Sequence, residues 1–233
     1  NTDELFRAPS LDEVYFFCFD RMRMIAKDFI LQSIGSEDGQ SGDNANGFKI
    51  TPVWIECHER IARYYIIMDS YMRQSDIYLE NHAEQNKEQM NNIFKTLMGY
   101  YSGGSALHIK KKQNREEFTA YYLLGQLGNR GEVTKYLRTV PRSILESDEI
   151  NFFLKVWGAY NDADYAGYFV LLRKANLLQA CLMRQYVSEL RLVAIKKLVI
   201  VNCPPGRVTD ETPPVPYLIA PDLVELLMFE DEE

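Results

Sequence analysis

Residues able to do chemistry are sparse in this chain. Four cysteines (Cys18, Cys57, Cys181, Cys203) show no CxxC spacing, and three histidines stand far apart at His58, His82 and His108. Neither set has the ligand spacing of a zinc site or the density of a disulfide framework, so no metal site is expected. Cys57 and His58 are adjacent, and on a helix adjacent side chains point about 100° apart, so the pair forms no site by itself. Phosphate-binding loops, GxGxxG, HExxH and GxSxG patterns are missing from the sequence, which leaves no catalytic constellation to assign. No enzyme activity and no cofactor are expected.

Charge is the more informative chemistry. The 233 residues carry a net −7, yet the last twelve hold six acids and no base, so the other 221 are close to neutral. Between Arg173 and Lys197 six bases face one acid, and Lys110, Lys111 and Lys112 form a second cluster. Basic clusters of this kind attract phosphate and also occur on ordinary solvated helix faces. The candidate nucleic-acid contacts are therefore Lys110, Lys111, Lys112, Arg184, Arg191, Lys196 and Lys197. Arg184 and Arg191, seven residues apart, would lie nearly in line on one helix.

The elements that must position these residues read as helices. Apolar positions recur every 3 and 4 residues with almost no alternation of period two. Ser10 with Glu13 makes a capping box for a helix over about Leu11–Ile34, with Val14, Cys18, Met22, Ile25 and Phe29 on one stripe. The Gly- and Ser-rich stretch 35–47 reads as a mobile loop. Thr51 and Pro52 open a helix to about Arg73, on which Glu56 with Arg60 and Glu59 with Arg63 are outward i,i+4 pairs. Further helices are expected over Gln85–Tyr101, after Asn114, from Gly131 to Val140, after Ser143 or Ser147, and after Asp162 or Asp164. The longest covers Leu177–Val201. Short turns between medium-length helices suit an all-α solenoid of antiparallel hairpins, occupying residues 1–202. Five prolines between 204 and 216 end that array. Val215–Ala220 then reads as a short strand and Pro221–Phe229 as a helix of a separate small module, with Val215, Tyr217, Leu218, Leu223, Leu226 and Phe229 as candidate partner-binding residues. No apolar run approaches the roughly 18 to 20 residues a membrane span needs. A first residue other than Met and an acidic end read as a piece of a longer protein.

Four blocks together resemble the SAC/GANP scaffolds of nuclear mRNA export: FDRMRMIAKDFILQ (Phe19–Gln32), ECHERIARYYI (Glu56–Ile66), EEFTAYYLL (Glu116–Leu124) and the most specific, YFVLLRKANLLQACLMRQYVSELRLVAIKKL (Tyr168–Leu198). The resemblance implies a PCI-type fold, a tetratricopeptide-like helical array followed by a winged helix that VPYLIAPDLVELLMFEDEE (Val215–Glu233) would open. It also implies a non-enzymatic scaffold of the TREX-2 complex, in the nucleus at the nuclear pore. That scaffold holds a second PCI-domain protein and a small acidic subunit and shares a composite RNA- or DNA-binding surface. A PCI-type subunit of another assembly is the alternative: the transcription-elongation branch of the family, or a proteasome-lid-like or translation-initiation-like relative.

Overall fold

The computed structural model describes residues 9–31, 52–102, 114–202 and 220–229, and every regular element among them is an α-helix. The chain forms two compact units, Asn1–Phe118 and Thr119–Glu233. The all-α class expected from the spacing holds in both. The expected loop at 35–47 and the segment 203–219, with all but the last residue of the expected strand Val215–Ala220, lie outside the described residues, and Ala220 is the first residue of a helix.

The first unit contains α1 (Leu11–Leu31), α2 (Pro52–Met72), α3 (Asp76–Asn81), α4 (Ala83–Ser102) and the start of α5 (Arg115–Gly125). Ser10 and Glu13 cap α1 reciprocally, at 2.7 and 3.3 Å. The buried face of α1 differs from the expected stripe. Tyr15 is fully buried against Met72 and Tyr78, with Phe16 and Phe19 packed beside it, whereas Val14 and Ile25 are exposed. The reason is polar as much as apolar. The Tyr15 hydroxyl donates to Asn86 Oδ1, and Asn86 Nδ2 donates to the Tyr65 carbonyl, so this register satisfies a buried amide.

Two more polar knots lock α2. The Tyr78 hydroxyl donates to Asp69 Oδ1 at 2.9 Å while Arg73 holds Oδ2 at 2.8 Å. Glu59 is buried, accepting from the Tyr101 hydroxyl at 2.6 Å and from Asn114 Nδ2 at 2.7 Å. The expected Glu59–Arg63 pair is thus replaced: Arg63 turns to Glu117, 3.0 Å away, and lies over the Phe118 ring. The Glu56–Arg60 pair forms as expected. Burial raises the pKa of the hydroxyls of Tyr15, Tyr78 and Tyr101, and the adjoining carboxylates of Asp69 and Glu59 push the last two further. Ser75 adds α3, which periodicity alone did not separate, by accepting from the Tyr78 N–H.

The second unit holds the rest of α5, then α6 (Arg130–Leu137), α7 (Arg142–Leu145), α8 (Asp148–Asn161), α9 (Tyr165–Lys174), α10 (Leu177–Arg184), α11 (Val187–Asn202) and α12 (Ala220–Leu227). Asn129, Ser147, Asp164 and Asn176 cap α6, α8, α9 and α10 with side-chain oxygens. Within each unit successive helices pack pairwise, α1 on α2 and α2 on α4, then α8 on α9 and α9 on α10 and α11. That is the arrangement of a solenoid of hairpins.

The single long helix expected over Leu177–Val201 is two helices. Met183 carries the carbonyl that would accept from the Val187 N–H in a continuous helix. Instead it takes the Tyr168 hydroxyl at 2.8 Å and the Tyr186 N–H at 3.1 Å. The Tyr186 hydroxyl reaches the Gly125 carbonyl at 3.0 Å. Tertiary hydrogen bonds therefore break a helix that has no proline or glycine at the break.

Candidate partner interface

Two arginines of the basic run Arg173–Lys197, Arg173 and Arg191, reach the end of α12. This helix stops in a left-handed residue, Met228 (φ 55°), and the Phe229 N–H returns to the Val224 carbonyl at 3.1 Å. That is a Schellman closure with methionine where glycine is usual. Helix ends leave their last carbonyls without intrahelical donors, and here two arginines supply them. Arg173 on α9 donates to the Glu225 carbonyl at 2.8 Å. Arg191 on α11 donates through Nε to the Leu227 carbonyl at 2.9 Å and through Nη2 to the Met228 carbonyl. Its guanidinium also lies 4.2 Å from the centroid of the Phe229 ring. Positive charge at a helix C-terminus is favoured by the helix dipole as well.

Lys197 does similar work at the turn between α8 and α9. That turn passes through a second left-handed residue, Ala163 (φ 52°), and the Asp164 N–H closes back on the Ala159 carbonyl. Lys197 Nζ donates to the Ala163 carbonyl at 2.7 Å. On α11 the Glu189 carboxylate accepts from the Tyr160 hydroxyl at 2.9 Å, and burial together with that bond pushes the phenol up to about 12.

Of the basic candidates, Arg191 and Lys197 are committed to backbone carbonyls, Lys196 is exposed on α11, and Arg184 is exposed at the end of α10. Arg184 and Arg191 stand on different helices, so the in-line arrangement expected from their seven-residue spacing does not hold. Lys110, Lys111 and Lys112 lie outside the described residues, as do Val215, Tyr217 and Leu218. Of the other apolar candidates, Leu223 and Leu226 are half-buried and Phe229 is stacked under Arg191.

An apolar row escaped the sequence reading. The inward side of α11 is Val187, Leu190 and Ala194, as expected, but the outward side is apolar too: Leu192 is 53% exposed, Ile195 42% and Val199 55%. A helix with apolar side chains on its outward as well as its inward side has more apolar surface than its own unit covers, and this signal was available in LVAIKKLVIV. Among the described residues no group of three or more His, Cys, Asp or Glu side chains could hold a metal ion, and no helix is long and apolar enough to cross a membrane. His58 is buried, with Nδ1 2.8 Å from the Trp54 carbonyl and its ring stacked on Trp54. Since a carbonyl only accepts, Nδ1 carries the proton. Cys18, Cys57 and Cys181 are free thiols and half-buried rather than sealed in the core.

Stacked helical pairs, with helices the only regular elements among the described residues, define an all-α helical-array protein. The chain belongs to the SAC3/GANP family, whose model matches residues 2–233. It is 28% identical over 199 residues to the SAC3 family protein B of Arabidopsis thaliana, a match that takes in 79% of this chain and 11% of that protein. Against the SAC3 family protein 1 of Schizosaccharomyces pombe it is 23% identical over 208 residues, 81% of this chain and 18% of the relative. The chain thus spans under one fifth of the length of either.

Proposed function

We propose that this chain is a scaffold module of an mRNA-export assembly of the TREX-2 type, acting in the nucleus at the nuclear pore. Its partners on this reading are a second PCI-domain protein and a small acidic subunit. The observation that carries the reading is the exposed apolar row Leu192, Ile195 and Val199 on α11, in the same unit as the clamped end of α12. An apolar face this exposed marks an interaction site, and membership of the SAC3/GANP family supports a scaffolding role. Residues 203–233 would open the winged helix, with Arg173 and Arg191 fixing its first helix to the array. A partner seated there would cover α11 together with Leu223, Leu226 and Phe229; Val215, Tyr217 and Leu218 are further partner candidates on the sequence alone.

Co-expression of the chain with a PCI-domain partner and the acidic subunit tests this. The three should co-purify, and Ile195→Asp with Val199→Asp should abolish recovery of the PCI protein while leaving the helical circular dichroism unchanged. Recovery undiminished by the double variant would remove α11 from the interface, and failure to recover any PCI-domain protein would sink the scaffold reading. Nucleic acid enters as a shared surface. Arg184 and Lys196 are its contacts in the second unit, with Arg191 and Lys197 holding the helices that carry them; Lys110, Lys111 and Lys112 are a separate set of candidates that rests on the sequence alone. For the assembled complex the logarithm of RNA affinity should fall linearly with the logarithm of salt concentration, and Lys196→Glu should make that slope shallower. Salt-insensitive binding would exclude the composite surface.

A further inference from the structure

The outer face of α1 carries a second apolar row, in the first unit and independent of the α11 face. Phe17, Met24 and Leu31 are 62%, 39% and 67% exposed, and their spacing of seven places them nearly in line along the helix. Asp20 and Lys27 run along one side of this row and Arg21 and Asp28 along the other, all four exposed. The order of these residues is symmetric about Met24. When a second α1 is laid antiparallel across a two-fold axis at Met24, Phe17 meets Leu31 of the second copy. On the two flanks Asp20 meets Lys27 and Arg21 meets Asp28. Every flanking charge finds the opposite sign, and the helix dipoles oppose favourably.

We propose that the outer face of α1 docks a second copy of this chain, as an antiparallel two-fold pair. Isologous contacts need self-complementarity of this kind, in which residue i meets j and j meets i. The groups are available for it. Arg21 rests over its own Phe17 ring at 5.2 Å, and Asp20 pairs within its helix to Arg23 at 3.0 Å with both side chains more than half exposed. Exposed pairs of that kind exchange at little cost. One helix against its twin covers less than the roughly 800 Å² per partner of a standard interface, so the association is micromolar or weaker.

Sedimentation equilibrium of the chain from micromolar to several hundred micromolar should show a reversible monomer–dimer equilibrium. Arg21→Asp sets like charges together twice and should weaken the dimer by about tenfold, whereas Arg21→Asp with Asp28→Arg should restore it. A chain that stays monomeric throughout, or a dimer indifferent to the first change or not recovered by the second, overturns the proposal. A variant carrying both Phe17→Cys and Leu31→Cys gives an independent reading. Under mild oxidation it should yield disulfides joining position 17 to position 31 between chains, and 17–17 and 31–31 products instead would overturn the antiparallel docking. None of these variants touches α11, so their failure leaves the co-purification result unaffected.

Discussion

Replacing Arg191 with alanine removes two charge-assisted hydrogen bonds from the last turn of α12, together with the stacking on Phe229. The loss should be about 2 to 3 kcal/mol of local stability, read as faster amide exchange at Leu226, Leu227 and Phe229. Lysine at the same position should recover only part of it, because an ammonium cannot span two carbonyls in one plane as a guanidinium does. His58 provides the pH counterpart. Burial lowers its pKa below the ordinary 6.5, so the folded chain keeps it neutral while the unfolded chain takes up a proton. The stabilisation is complete above pH 6.5 and declines as pH falls toward the folded value. The urea midpoint of the wild type should therefore drop between pH 7 and 5 more steeply than that of His58→Gln. At this scale the sequence was a poor guide to where charges end. Arg191 read as a phosphate contact and Glu59 as an outward pair, yet both terminate on partners more than thirty residues away. Local spacing holds no record of such contacts.

Elements were far more legible, because caps and apolar periodicity are written locally. The Ser10–Glu13 box, Ser147 and Asp164 start the helices that their residue types predict. What could not be read was the break between α10 and α11. It depends on Tyr168 and Tyr186 reaching across to carbonyls elsewhere in the second unit, against good local helix propensity. Tyr168→Phe should cost about 1 kcal/mol in thermal or urea unfolding, an amount that a merely apolar role for the ring would not produce. The end of α12 gives the opposite sign. Met228 sits in a conformation that L side chains resist, so Met228→Gly should raise stability by about 0.5 to 1 kcal/mol. A fall in the unfolding midpoint would show that the methionine side chain contributes more than the strain removes.

For the molecule as a whole, net charge proved a misleading summary. Six acids and no base lie beyond Pro221 and account for all but one unit of the net −7, and the local basic excess of the second unit is partly consumed in holding helix ends. The all-α class and the helical pairs followed from periodicity, while the division at Phe118 left no mark in composition. The tyrosines that knot each unit internally also give the protein an optical signature. Among the described residues nine of its fifteen tyrosines (Tyr15, Tyr64, Tyr65, Tyr78, Tyr100, Tyr101, Tyr122, Tyr160, Tyr168) have pKa values held above the usual 10, chiefly by burial. Above pH 10 the unfolded chain releases phenolic protons that the folded chain retains, so stability falls as pH rises. Phenolate absorbance in the near ultraviolet should then show a steep cooperative step as these phenols ionise on unfolding. That step reports the collapse of the helical cores themselves, without any added dye or label.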